Sequence, residues 1–250
     1  MTSMGRSCLA ATLAMGAAIA ASGAEPEGWA FEVTPYAWLA GLSGDVKVNG
    51  HKAEFDKSAA DLFEAFDIGG SLLAVAQYDR VLLLGQVDYF SLSTDELDVE
   101  DQPAGGSLDS DMTLGKLAVG YQFDGWSDGV TVDLLLGAQS LTLDNDLTVS
   151  GLGTESHRTD MVNPLVMVRP NMPVWPSKIG GLRFCAPLSV GGGGDADLVY
   201  DVELQVQCRV ATWADVRLGY RAVGFQVEED DQNELDVVQS GWTLGVGLWF

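Results

Sequence analysis

Asp236-Val237-Val238-Gln239-Ser240-Gly241-Trp242-Thr243-Leu244-Gly245-Val246-Gly247-Leu248-Trp249-Phe250 is the stretch that decides the fold. Successive side chains of an extended strand point to opposite faces, so the run divides by parity. Val238, Ser240, Trp242, Leu244, Val246, Leu248 and Phe250 share one face. Gln239, Gly241, Thr243, Gly245, Gly247 and Trp249 share the other. One face is greasy and the other is small or polar. Taken alone, the run also fits the edge strand of an ordinary antiparallel sheet, and the rest of the chain must separate the two readings.

The two-residue period recurs. Alternating runs fall near 29–42, 68–79, 81–93, 111–123, 130–143, 158–170, 180–190, 198–211, 214–227 and 237–250, separated by turn residues. In the clearest, Leu198, Tyr200, Val202, Leu204, Val206, Cys208 and Val210 alternate with Asp201, Glu203, Gln205, Gln207 and Arg209. Segments of roughly ten residues with this period are the signature of a transmembrane barrel. The expected fold is all-β: an antiparallel up-and-down transmembrane β-barrel of about ten strands, with eight or twelve as alternatives. A secreted β-sandwich is the competing class. Trp242, Leu244, Val246, Leu248 and the aromatic Phe250 resemble the C-terminal signal read by the outer-membrane assembly machinery, which makes that machinery an expected partner.

Arg6 gives a short basic start, 8–21 is an apolar run of small residues, and Ser22-Gly23-Ala24 fits a small-x-small cleavage site. This is the pattern of a secretory signal peptide, and the apolar run is too short for the ~20 residues of a spanning helix. The expected organisation is a signal peptide over 1–24 and a barrel with long acidic extracellular loops over 25–250. No later stretch offers ~18 consecutive apolar residues. A mature chain that spans a membrane therefore does so as a closed barrel, which satisfies its own backbone. The net charge of -23 beside a positive mean hydropathy of +0.12 suits apolar strands alternating with acidic loops. It argues against nucleic acid, which needs a basic footprint.

Loop lengths set an orientation. From a periplasmic N-terminus the odd connections are long: 43–67, 94–110, 144–157, 191–197 and 228–236. The even ones are short: Asp79-Arg80, 124–129, 171–178 and Thr212-Trp213. Short periplasmic turns and longer external loops are the rule for bacterial barrels, with an even strand number. Trp29, Trp126, Trp175, Trp213 and Trp249 then gather at the periplasmic end as an aromatic girdle. Asp95, Glu96, Asp98, Glu100, Asp101 and Asp109, and Glu228, Glu229, Asp230, Asp231 and Glu234, lie outside.

Several stretches make the chain similar to an uncharacterised family of Gram-negative outer-membrane β-barrel proteins akin to the small opacity and porin-like barrels. They are Thr34-Pro35-Tyr36-Ala37-Trp38-Leu39-Ala40-Gly41-Leu42-Ser43-Gly44-Asp45, Asp61-Leu62-Phe63-Glu64-Ala65-Phe66-Asp67, Asn163-Pro164-Leu165-Val166, Gly219-Tyr220-Arg221-Ala222-Val223-Gly224 and Gly245-Val246-Gly247-Leu248-Trp249-Phe250. The resemblance implies the barrel and the outer membrane of a Gram-negative bacterium, and is silent on activity. It leads one to expect Asp at Asn163 and Arg at Gln139. If those positions pair in the lumen, this chain has lost that ion pair.

Parity assigns the lumen charges: Glu32, Asp88, Asp133, Asp201 and Glu203 against Lys116, Arg169, Arg183, Arg209, Arg217 and Arg221. Eight strands already enclose only enough room for side chains, so ten leave little more. Buried charges must be paired, and a network of ion pairs plugging the interior is the leading expectation. A narrow polar pore lined by Arg217 and Arg221 opposite Asp201 and Glu203 is the alternative.

Outside the lumen the signals are weaker. Asp144-Asn145-Asp146 and Asp195-Ala196-Asp197 carry clustered oxygens suited to hard cations, but no spacing matches a calcium loop, and no metal or cofactor is expected. Acidic loops could meet the divalent ions that bridge lipopolysaccharide, so outer-membrane lipids and lipopolysaccharide are the expected partners of a monomer. Residues 46–55 read as a hairpin around Asn49-Gly50. Asp56 to Phe66 carries Leu62, Phe63 and Phe66 at helical spacing. His51 and His157 both fall outside; Ser156 and His157 point to opposite faces of a strand, and a nucleophile must reach its base, so no enzyme is expected. Cys185 belongs to the lumen face and Cys208 to the lipid face, and opposed Cβ vectors cannot be bridged, so two free thiols are expected. The expected role is structural or interfacial, with slow passive solute passage as an addition; a gated narrow porin and a surface hydrolase stay open as alternatives.

Overall fold

A computed structural model shows the alternating runs as strands of one antiparallel sheet that closes on itself. The structure describes residues 28–48, 51–57, 66–97, 106–149, 153–175, 181–230 and 233–250. The strands are β1 (Trp29–Val48), β2 (His51–Lys57), β3 (Phe66–Tyr78), β4 (Val81–Leu97), β5 (Gly106–Asp124), β6 (Thr131–Val149), β7 (Gly153–Trp175), β8 (Leu182–Cys185), β9 (Leu188–Gly191), β10 (Leu198–Ala211), β11 (Ala214–Asp230) and β12 (Asn233–Trp249). Neighbours in sequence are neighbours in the sheet, and β12 pairs with β1 from Glu32↔Trp249 to Lys47↔Glu234, which closes the wall. β8 and β9 are two halves of one stave, both lying between β7 and β10. Among the described residues β2 pairs with β1 alone. Ten staves remain, as the alternation indicates.

Burial is inverted relative to a water-soluble protein. Along β5, Leu117, Val119, Tyr121 and Phe123 are exposed, while Leu114, Lys116 and Ala118 are buried. Along β11, Val216, Leu218 and Tyr220 face out, and Asp215, Arg217 and Arg221 face in. Period-two alternation thus places the greasy set on the outside and the polar set in the lumen.

Four differences from the sequence reading have physical causes. The long connections 94–110, 144–157 and 228–236 are largely strand: β4 runs to Leu97, β6 to Val149, β7 starts at Gly153 and β12 at Asn233. A two-stranded hairpin beyond the apolar belt keeps its ladder bonds without needing a greasy face, so polar sequence there does not end the strand. β7 continues to Trp175 instead of turning at 171. The run 180–190 is broken at Ala186-Pro187, where proline has no N–H to give the ladder. Trp249 lies at the short-turn end but faces the lumen, so it is not part of the outer girdle; its indole donates to Asp215 at 2.5 Å. Trp249 shares the parity of Gly245 and Gly247; a Cβ at Gly247 would meet the Arg217 guanidinium and the Asp215 carboxylate, so the glycine leaves room for that ion pair.

The hairpin around Asn49-Gly50 has its flanking pair Val48↔His51 in register, with the two turn residues outside the described set. Asp56 and Lys57 end β2 and Phe66 begins β3, so a helical segment over 56–66 is excluded at both ends; 58–65 lie outside the described residues. The signal-peptide assignment over 1–24 likewise lies outside them. Asp79 takes a left-handed φ of 50° in the tight turn between β3 and β4, a conformation Asp tolerates.

Candidate functional site

The lumen is stratified. In its outward half, Arg221 sits on β11 at 2% exposure. Its Nε and Nη2 donate to Asp201 at 3.0 and 2.7 Å, and its Nη1 donates to Asp88 at 2.9 Å and to the Tyr36 hydroxyl at 3.0 Å. Tyr36 in turn donates to Asp88. Lys116 Nζ donates to Asp201 at 2.5 Å and to Ser189 at 3.4 Å. The Trp38 ring stacks against the guanidinium, 4.5 Å from centroid to Cζ. Six strands, β1, β4, β5, β9, β10 and β11, thus converge on one knot that spans the barrel.

Beyond this knot, towards the long hairpins, the inward face turns apolar. Phe90 follows Asp88 on β4, Leu114 precedes Lys116 on β5, Val199 precedes Asp201 on β10, and Val223 and Phe225 follow Arg221 on β11. These pack with Trp38 and Ala196 into one buried cluster. Ala196 comes from the glycine-rich loop 192–197, which folds in over the mouth. The Asn163 Oδ1 accepts from the Ala196 N–H at 2.8 Å, and the Asp195 carboxylate accepts from the Val162 N–H at 2.7 Å. Gly192 and Gly193, at φ 149° and 74°, provide the bend that residues with a Cβ avoid.

On the other side of the knot a cavity of about 40 Å³ lies among Gln86, Met167, Cys185, Glu203 and Gln205. It has room for a few waters. A second apolar cluster, Val75, Leu82, Leu84, Ala118, Leu135, Leu165 and Met167, packs one wall. Nearer the short-turn end, Arg217 donates to Glu32 at 2.5 Å and to Asp215 at 2.6 and 3.3 Å. Arg169 donates to Asp133 at 2.8 Å.

Of the eleven charges assigned to the lumen, the structure joins eight in ion pairs: Glu32, Asp88, Lys116, Asp133, Arg169, Asp201, Arg217 and Arg221. Three are not joined. Glu203 accepts from Thr243 at 2.8 Å and Gln205 at 3.1 Å, with no cation in salt-bridge reach among the described residues. Arg183 and Arg209 have no carboxylate partner there either. Sequence reasoning missed Asp215, although it shares the parity of Arg217 and Arg221. It also missed Tyr36 and Trp38, whose neutral side chains a survey of charges passes over. Gln139 and Asn163 are cross-strand partners and both are buried, so a neutral pair stands at this lumen position. Neither polar atom of the Gln139 amide has a partner.

Outside the lumen, Arg158 holds Asp144 at 3.2 Å and Asp160 at 2.8 Å. The His157 position faces Asn145 across the ladder. Cys185 is buried, Cys208 is exposed, and both are free.

The outer surface carries an apolar belt that includes Leu39, Leu83, Leu117, Leu136, Val190, Leu204 and Leu244. Below it, Trp29, Trp126, Trp175 and Trp213 are each more than half exposed, with Trp29 stacked on Phe31 at 5.8 Å. A closed wall with a greasy exterior, an aromatic girdle and a charged interior belongs in a bilayer. The chain is an outer-membrane β-barrel. Bacterial barrels keep their short turns at the periplasmic end and their long hairpins outside, the orientation that the loop lengths lead one to expect.

No protein-family model and no curated protein matches the sequence. Among solved structures, the barrel is similar to the outer-membrane protease OmpT of Escherichia coli, at 8% identity over 90% of this chain and 97% of that chain, TM-score 0.47. It is similar to Ail, the attachment invasion locus protein of Yersinia pestis, at 15% identity over 90% and 99%, TM-score 0.39. It is also similar to OprG of Pseudomonas aeruginosa, at 12% identity over 89% and 96%, TM-score 0.37.

Proposed function

We propose that this barrel is a closed structural or interfacial protein of the outer membrane whose lumen does not conduct. One observation carries the reading: the Arg221 knot ties six strands together across the lumen, with the Trp38, Phe90, Val223 and Phe225 layer packed on its external side. An ion entering from outside meets an apolar layer and then fixed, mutually neutralised charges. Either alone raises a barrier, since a charge in a dry apolar layer loses its hydration without gaining a partner.

The reading includes export by a signal peptide over 1–24 and recognition of Trp242, Leu244, Val246, Leu248 and Phe250 by the assembly machinery. It includes a monomer that meets lipid through its belt and lipopolysaccharide, with its divalent ions, through its acidic hairpins. It includes no catalytic role. A gated porin is the second reading, favoured by the water-sized cavity under the knot. Planar bilayers with refolded protein separate the two. The closed barrel gives no unitary current steps at moderate voltage, and reproducible discrete steps would sink it.

A further inference from the structure

The paired charges of the lumen leave two arginines unspent at its periplasmic mouth. Arg183 on β8 lies opposite Gln207 of β10, and Arg209 stands two residues further along β10. Both share the parity of buried neighbours, Cys185 and Gln207, so both face the lumen. Diagonal cross-strand neighbours of this kind lie roughly 7 Å apart. Each guanidinium carries five N–H donors. Arg209 spends one, on the Thr212 carbonyl at 3.1 Å. No acceptor takes any from Arg183 among the described residues. The carboxylates nearby are already engaged: Asp215 by Arg217 and the Trp249 indole, and Glu32 by Arg217.

Arg209 is also oriented in advance. Its guanidinium stacks on the Trp249 ring at 4.7 Å, and Arg217 approaches the same ring at 5.7 Å. Stacking and the Thr212 carbonyl fix the plane of the fork and leave its remaining donors to be aimed. Two half-buried forks side by side, one of them rigid, match an oxyanion that can accept from both. The water-sized cavity lies further inward, lined by Gln205, Gln207 and Arg217 and not by this pair. The Arg221 knot closes the other end, so a ligand reaches this pair only from the periplasm.

We propose that Arg183 and Arg209 form a periplasm-facing anion site that takes a phosphate or carboxylate group, carried by a periplasmic solute or by an inner-leaflet phospholipid headgroup. The site needs no open pore, so it stands independently of whether the lumen conducts.

The test is isothermal titration of inorganic phosphate into the full barrel, refolded in a zwitterionic detergent. Wild type and the variants Arg183→Gln, Arg209→Gln, the double variant and Arg158→Gln are compared, each first shown to be folded by heat-modifiable gel migration. The site predicts saturable binding that weakens with added chloride. Each single lumen variant should weaken it by about fivefold or more, as loss of charge-assisted bonds implies. The double variant should abolish it, and Arg158→Gln, on the external hairpin, should leave it unchanged. Repeating the titration with phosphatidylglycerol in the micelle tells the sources apart: competition marks a headgroup, and its absence a free solute. Non-saturable heats in wild type, or a double variant binding like wild type, would overturn the proposal.

Discussion

Replacing Arg221 with alanine is the sharpest probe of the lumen. The side chain is buried and donates four hydrogen bonds, two to Asp201, one to Asp88 and one to Tyr36. Alanine leaves both carboxylates buried, but not equally. Asp201 keeps Lys116 at 2.5 Å, whereas Asp88 keeps the neutral Tyr36 hydroxyl and, among the described residues, no cation. Removing one partner from a buried ionic cluster costs about 3–5 kcal/mol, most of it the uncompensated charge left behind. Because Asp201 stays paired, the expected loss sits at the lower end, about 3 kcal/mol. Equilibrium unfolding in urea, followed by tryptophan fluorescence in detergent micelles, measures it. Arg221→Met combined with Asp88→Asn should recover more than half of the loss, since the orphaned charge goes with its partner. A loss below about 1 kcal/mol for Arg221→Ala would mean that water reaches the knot and solvates the acids. The occluded lumen would then be refuted as well.

Two further outcomes follow from the same interior. Gln139 buries an amide with neither polar atom partnered, so Gln139→Met should be neutral or stabilising by about 1 kcal/mol, while Asn163→Ala, which frees the Ala196 N–H, should cost about 1–2 kcal/mol in the same urea assay. A membrane-soluble maleimide should label Cys208 in the folded barrel and Cys185 only after unfolding, with two free thiols by mass spectrometry. Equal labelling of both in the folded state would contradict the assigned faces.

Much of this was readable in advance because a strand has a period of two, and two faces in unlike media need unlike residues. Parity alone put Arg217 and Arg221 inside and Leu218 and Tyr220 outside. It also separated Cys185 from Cys208 on adjoining staves. The same rule carried Asp215, and the apolar turn of the inner face at Val223 and Phe225, both available in β11. Those were passed over because charge draws attention before position does. The polar hairpins were hidden for a different reason: beyond the belt, ladder bonds hold a strand without any hydrophobic signature, so β6 and β7 run on through Asp144 and Arg158.

The sequence by itself determined the wall: about ten staves, which face is lipid and which end carries the short turns, because each is set by local alternation and turn length. The tertiary structure alone decided the partners. Asp88 and Arg221 are far apart in the chain, and so are Glu32 and Arg217; they meet only when β12 closes on β1 and the shear of the barrel sets which levels coincide. A nearly balanced list of lumen charges therefore could not show that eight of them cancel in ion pairs and that Arg183 and Arg209 are left over at one mouth. Ion pairing falls off over a few ångströms, and distances across the lumen are a property of the closed barrel, not of any strand within it.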